Sequence, residues 1–279
     1  MINRGDLVQF LRVYSFQPAT AFWRAVEVPV LRQFLPTQGI CLDLGCGDGK
    51  LTAIAFGDPL APGLTLVGVD VDADETLQAA RRSLYTRIHT CPAAQIPEPA
   101  LSFDCILSNS VLEHIPEIEP TLASVANLLK PGGHFLFTVP TAGFHQALAG
   151  PLNPRITRET YLLEMDRRLA HFRYWGADEW REHLAAHGLE VVRMVEYFDP
   201  AEVRRWENIS RLTAGILYAL GRRQHAPIQV QKKLGLRQAQ NALTLPAWFA
   251  AGLAALLSAG MRPASGPQAG LLIVARRQA

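Results

Sequence analysis

Apolar and polar positions change period several times along this chain. Over residues 7–16 and 20–35 the apolar side chains (Leu7, Val8, Leu11, then Phe22, Val26, Val30, Leu31, Phe34) recur every three or four positions, the spacing of a one-faced helix. Pro36 and Gly39 close the second of these helices. From residue 40 onward short apolar runs alternate with helical stretches. Runs at 40–44, 64–70, 103–108 and 134–139 read as strands, and 49–57, 73–84 and 118–130 read as the helices between them. Such an alternation predicts a parallel sheet covered by helices on both faces. Lys130-Pro131-Gly132-Gly133 ends the third of these helices and turns tightly into Phe135-Leu136-Phe137-Thr138-Val139. Residues 141–160 read as a loop, and a loop of that length in a compact domain is commonly functional. A helix over 177–187, stopped by Gly188, and a strand over 189–197 follow. Residues 200–268 break the alternation, and Gly270 to Ala275 form a last apolar strand.

The first strand runs into Asp43-Leu44-Gly45-Cys46-Gly47-Asp48-Gly49. Three glycines at alternating positions let a ligand press against bare backbone, because no Cβ stands in the way. The next apolar run closes on Asp70, and an acid at that place accepts the hydroxyls of a ribose. Asp43 lies two residues before the first glycine, where its charge repels a pyrophosphate and suits a cation. No Gly-Lys-Ser/Thr follows, so a phosphate-cradling loop is not expected. The ligand that fits is a nucleoside carrying an amino acid.

At 279 residues, 49% of them apolar, the chain can bury one large core or a domain with a sizeable insertion. A net charge of +2 creates no overall field for nucleic acid. Cys41, Cys46, Cys91 and Cys105 have neither metal spacing nor a disulfide pattern, and are expected as free thiols in a reducing cytosol. The first residues mix acid and base without an apolar signal core, so secretion is not expected.

In four blocks the chain resembles the class I S-adenosylmethionine-dependent methyltransferases, most closely the broad type 11 group. The blocks are Leu42 to Gly49, Val67-Gly68-Val69-Asp70, Ser102 to Ile115, and Leu128-Leu129-Lys130-Pro131-Gly132-Gly133. The resemblance implies an α/β fold, a doubly wound, seven-stranded Rossmann-like sheet. It implies an N-terminal helical cap over 1–38, a cofactor-binding core over 39–199, a helical insertion over 200–268, and the last strand with a short tail over 269–279. It also implies S-adenosyl-L-methionine as cofactor. Asp43 would sit near the methionine ammonium, and Gly45, Cys46 and Gly47 would border the cofactor. Asp70 would bind the ribose, Val71 would pack on adenine, and Asn109 would lie beside the methionine moiety. The family's acid after the third strand falls at Pro92, which leaves Gln95 or nearby backbone to read the adenine.

Methyl transfer from a sulfonium needs chiefly positioning, with a general base only for a hydroxyl acceptor. His114 and His145 are the candidate bases, with His171 in an aromatic-rich stretch as a third. No metal-ligand cluster is expected from the sequence. No Asn/Asp-Pro-Pro-Tyr/Phe motif follows the fourth strand, so a nucleic-acid substrate is not expected.

Residues 203–237 carry Arg204, Arg205, Arg211, Arg222, Arg223, Lys232, Lys233 and Arg237 against Glu207 alone. An uncharged, largely apolar stretch runs from there to Met261 and contains Trp248. A chain that must return to the same sheet suggests an in-plane helix on an anionic membrane surface, with a lipid-linked or small-molecule methyl acceptor. The alternatives are an ordinary buried helix, a lid or dimer surface over a soluble acceptor, and a non-catalytic S-adenosylmethionine-binding subunit.

Overall fold

A computed structural model describes residues 2–213 and 244–278. Among them, in chain order, are α1 (Arg4–Val13), α2 (Pro18–Leu31), β1 (Gly39–Leu44), α3 (Lys50–Phe56), β2 (Leu64–Asp70) and α4 (Ala73–Ala80). Then come β3 (Arg87–Thr90), β4 (Phe103–Asn109), α5 (Glu119–Leu128), β5 (Leu129–Pro140), α6 (Ala142–Ala147) and α7 (Arg158–Leu169). The last are α8 (Ala177–Ala186), β6 (Leu189–Tyr197), α9 (Pro200–Leu212), α10 (Ala247–Ser258) and β7 (Gly270–Arg277). The basic residues Arg222, Arg223, Lys232, Lys233 and Arg237 lie outside the described residues.

The chain divides into two compact units. One takes residues 30–141, 173–196 and 270–279 and holds the sheet. Its strand order is β3-β2-β1-β4-β5-β7-β6. β1 pairs in parallel with β2 and β4, β2 with β3, and β4 with β5, whereas β7 is antiparallel to β5. The seven-stranded, doubly wound α/β expectation is thereby met. Strand β3 escapes an apolar scan because Arg87-Ile88-His89-Thr90 is a short edge strand with no buried side chain. One face of the sheet buries Leu42, Val67, Ile106, Phe135 and Phe137 against Leu122 and Val125 of α5 and Trp180 and Leu184 of α8. Each such side chain contributes ~1.5–3 kcal/mol by leaving water.

One expectation for this unit needs refinement. The Lys130-Pro131-Gly132-Gly133 turn does end a helix, α5, but it falls inside β5. Pairing steps from Phe103↔Leu129 to Cys105↔His134, so the turn is bulged out of the ladder. Asp104 secures this corner, with Oδ2 accepting the Ile40 N–H at 2.9 Å and Oδ1 meeting Lys130 Nζ at 2.7 Å.

The other unit takes residues 1–29, 142–172 and 197–269, and its described elements are helices. α1 starts earlier than its apolar stripe because Asn3 caps it, accepting from the Asp6 N–H. The second helix ends at Leu31 rather than at Pro36, and Pro29 sits inside it without breaking it. Residues 141–160 are not one loop: α6 occupies 142–147 and α7 begins at Arg158. α7 buries only Met165, so it shows no apolar stripe, and its start is set by the Thr157 cap. Trp23, Phe144, Phe198 and Trp206 form an aromatic cluster, with Trp23 centroids 4.6–5.5 Å from the other three. The fully buried Glu207 ties α6, α7 and α9 together. It accepts from the Ala149 N–H at 2.8 Å, the Gly150 N–H at 3.3 Å, the Tyr161 hydroxyl, and Arg211 Nη2 at 2.7 Å. Among the described residues no helix is long and apolar enough to cross a membrane.

Candidate cofactor site

β1, β2 and β4 are adjacent parallel strands, and the chain switches direction across the sheet between β1 and β4. A crevice forms at the carboxyl ends of strands at such a point. Three sequence-predicted features meet there: the glycine turn after β1, Asp70 ending β2 and Asn109 ending β4.

Gly45, Gly47 and Gly49 all have positive φ (+83°, +53° and +73°), a region that disfavours side chains. A Cβ at Gly45 would fall 2.3 Å from Val111 Cγ2, so the turn after β4 is pressed onto the glycine turn. A Cβ at Gly47 would meet nothing within 4 Å. The turn is therefore packed on one side and open above Gly47. Four of its N–H groups are engaged within the fold: those of Gly45 and Cys46 donate to Val69 O (2.7 and 2.9 Å), and that of Gly49 to Cys46 O. The Gly47 N–H donates to Asp70 Oδ2 at 2.9 Å. A loop with the N–H groups of all three glycines and of Cys46 turned inward is poorly suited to cradle phosphates.

Asp70 Oδ1 accepts from the Asp72 N–H at 2.9 Å. Each carboxylate oxygen thus holds one backbone N–H and keeps further acceptor capacity, which matches a vicinal diol. Val71 beside it is 72% exposed, an apolar side chain placed where a flat ring can lie. Gln95 is exposed in the turn after β3, its N–H bonded to Pro92 O. Asn109 is buried, and its Oδ1 accepts from Thr138 Oγ1 at 3.2 Å, which fixes the amide's orientation.

Asp43 differs from a simple open carboxylate. It is only 3% exposed, and its Oδ2 accepts hydroxyls from Thr52 and Tyr85, both at 2.6 Å. Burial pushes its carboxyl up to about 6, against the opposing pull of these two hydroxyls. Neither Thr52 nor Tyr85 is visible in the sequence as a site residue, since both are brought to Asp43 by the folding of α3 and the segment before β3. Val111 and Thr138 escape for the same reason. The Cys46 thiol is pushed far up by burial and by nearby carboxylates, so it is inert rather than nucleophilic.

His114, exposed at the end of a short 3-10 turn (Leu112–His114), has Nε2 3.9 Å from Glu113 Oε1. His145 lies on α6 in the helical unit, with Nε2 2.7 Å from Asp166 Oδ1. His171 belongs to the same unit, its ring 6.3 Å from that of Phe144.

A family model for a methyltransferase domain matches residues 22–194. The chain is 30% identical over 131 residues to a probable S-adenosylmethionine-dependent methyltransferase of Mycolicibacterium smegmatis, which covers 46% of this chain and 49% of that one. It is 30% identical over 104 residues to a ubiquinone biosynthesis O-methyltransferase of Brucella ovis, covering 35% and 40%. The chain spans about half the length, or less, of these curated relatives. Its fold is similar to that of a geranyl diphosphate methyltransferase solved with GPP and sinefungin, at a TM-score of 0.54 and 13% identity over 90% of this chain and 76% of that one. The crevice suits a nucleoside without phosphates, the fold is similar to that of a solved methyltransferase, and the family model covers more than half of the residues: the chain belongs to the class I S-adenosylmethionine-dependent methyltransferases.

Proposed function

We propose that this protein transfers the methyl group of S-adenosylmethionine to a small-molecule or lipid-linked acceptor. The observation that carries the reading is the Asp70 carboxylate. It is held by the Gly47 and Asp72 N–H groups at the lip of an open glycine turn, with acceptor capacity left for two ribose hydroxyls. In this reading Val71 supports the adenine, with Gln95 at its edge. Asp43 supplies negative charge beneath the methionine ammonium, and Asn109 borders the methionine carbons. When bound, the cofactor supplies an activated methyl on a good leaving group. The chain's own residues then orient it and exclude water, which accounts for much of the rate in an in-line displacement.

A hydroxyl acceptor, as the name of the Brucella relative suggests, needs a base. His145, whose Nε2 lies 2.7 Å from Asp166 Oδ1, is the base we propose for it, with His114 as the other candidate. The reading also keeps the protein in a reducing compartment, in keeping with its four free cysteines. The test is incubation with methyl-labelled S-adenosylmethionine and two acceptor sets, soluble catechols and polyprenylated phenols. Label should enter one set and fall ~10²–10⁴-fold in a His145→Ala variant if the accepting atom is oxygen. Label in neither, with S-adenosylhomocysteine still bound, would support the non-catalytic alternative.

A further inference from the structure

The corner where α9 meets the chain leaving α10 has a chemistry that methyl transfer does not use. α10 contains no charged residue and buries only Ala250 and Ala254, packed toward α1. Its remaining surface is apolar and open to solvent, with Trp248 76% and Leu256 67% exposed and Phe249 exposed beside them. Beyond its C-terminal end lies an open cavity of ≈560 Å³ whose lining, among the described residues, includes Arg204, Arg205, Asn208 and Arg262 and no acidic side chain. Arg205 Nη2 donates to Ala259 O at 2.7 Å, which pins one arginine at the foot of the helix. Arg4 Nε donates to Ser258 Oγ at 3.0 Å and adds a fourth cation at the same end. Among the described residues none of these four arginines forms an ion pair with a carboxylate.

We propose that this corner docks onto an anionic phospholipid surface, with α10 lying in the plane of the interface and the arginine-lined cavity taking a lipid phosphate. A twelve-residue helix rises ~18 Å, short of a ~30 Å hydrocarbon core, so it lies on a bilayer rather than crossing it. An apolar face with an exposed Trp beside guanidinium groups is the pattern of an interfacial helix. Guanidinium forks match phosphate oxygens in geometry as well as charge. A second copy of the chain is a poorer occupant, because a two-fold pairing would set two arginine-rimmed faces against each other. The inference is independent of the cofactor site, and its test contains no cofactor.

The experiment is flotation of the full chain with vesicles of phosphatidylcholine alone or mixed with phosphatidylglycerol. The expected result is recruitment to the phosphatidylglycerol vesicles at low salt and release at high salt. Arg204→Gln, Arg205→Gln and Arg262→Gln should each weaken recruitment about five-fold, and Trp248→Ser with Leu256→Ser should abolish it. Both apolar positions are exposed, so thermal melts should stay unchanged. A protein left wholly in the soluble fraction, or equal recruitment to both vesicle types at all salt concentrations, overturns the proposal. So does a cavity that is stabilised by inorganic phosphate while vesicles recruit nothing, which would assign it to a free phosphate group. A dimer broken by Leu256→Glu without vesicle recruitment would assign the face to a second copy.

Discussion

Asp43 offers a test in which stability and binding move in opposite directions. Its carboxyl is buried and held near 6, against an ordinary value of 3.8. Raising the carboxyl from 3.8 to about 6 corresponds to ~3 kcal/mol of preference for the protonated form. Its folded value is raised, so this contribution is fully present below the unfolded value near 4 and is lost as pH rises through 6. At pH 7.5 the native state therefore carries a buried charge that costs ~3 kcal/mol. Asp43→Asn removes the charge and keeps an oxygen that can accept from Thr52 and Tyr85. Its new amide N–H₂ must find an acceptor, which costs ~1 kcal/mol. The variant should then be ~2 kcal/mol more stable at pH 7.5, a rise of roughly 4–8 °C in Tm, and the advantage should vanish between about pH 4 and 5 and reverse below that. S-adenosylhomocysteine keeps the ammonium, so its affinity should fall ~5–100-fold in the variant. Wild-type affinity should drop about ten-fold at pH 5, where the carboxyl is mostly protonated, while the variant's stays flat. Melting curves across pH 4–8, taken as variant minus wild type, cancel every other carboxylate. A variant less stable than wild type at pH 7.5, with a difference that does not change with pH, would refute the reasoning.

Gly45→Ala should lower stability by ~1–3 kcal/mol, because φ is +83° and the new methyl meets Val111 at 2.3 Å. Adding Val111→Ala should recover part of that loss, as read by urea denaturation. Glu207→Ala should cost ~3–5 kcal/mol by leaving Arg211 and two backbone N–H groups without their carboxylate, measured by the same method. Asp104→Ala should cost less, ~1 kcal/mol, because its side chain is partly exposed and the Lys130 pair it releases is solvated.

The sheet was readable because β1, β2, β4 and the end of β5 are largely apolar runs of strand length, alternating with helical patterns. β3 and α7 were not readable because each buries almost nothing, so hydrophobic periodicity has nothing to report. The site divides in the same way. Gly45, Gly47 and Asp70 are legible because backbone freedom and a ribose-binding acid are demands on residue type at fixed spacing. Thr52, Tyr85 and Val111 are distant in sequence and ordinary in type, and only the fold brings them to Asp43 and Gly45. They decide whether Asp43 is an open ligand or a buried charge, so its electrostatics lay beyond sequence reasoning even though its position did not.

The central claim is that adenosine bearing an amino acid lies across the tips of β1 and β2, its ribose held by Asp70. Calorimetric titration with S-adenosylhomocysteine, alongside NAD, tests it most directly. The account predicts that S-adenosylhomocysteine binds, that Asp70→Ala weakens it by ~1–3 kcal/mol, and that NAD does not bind. Binding of NAD, or S-adenosylhomocysteine affinity unchanged in Asp70→Ala, would contradict it.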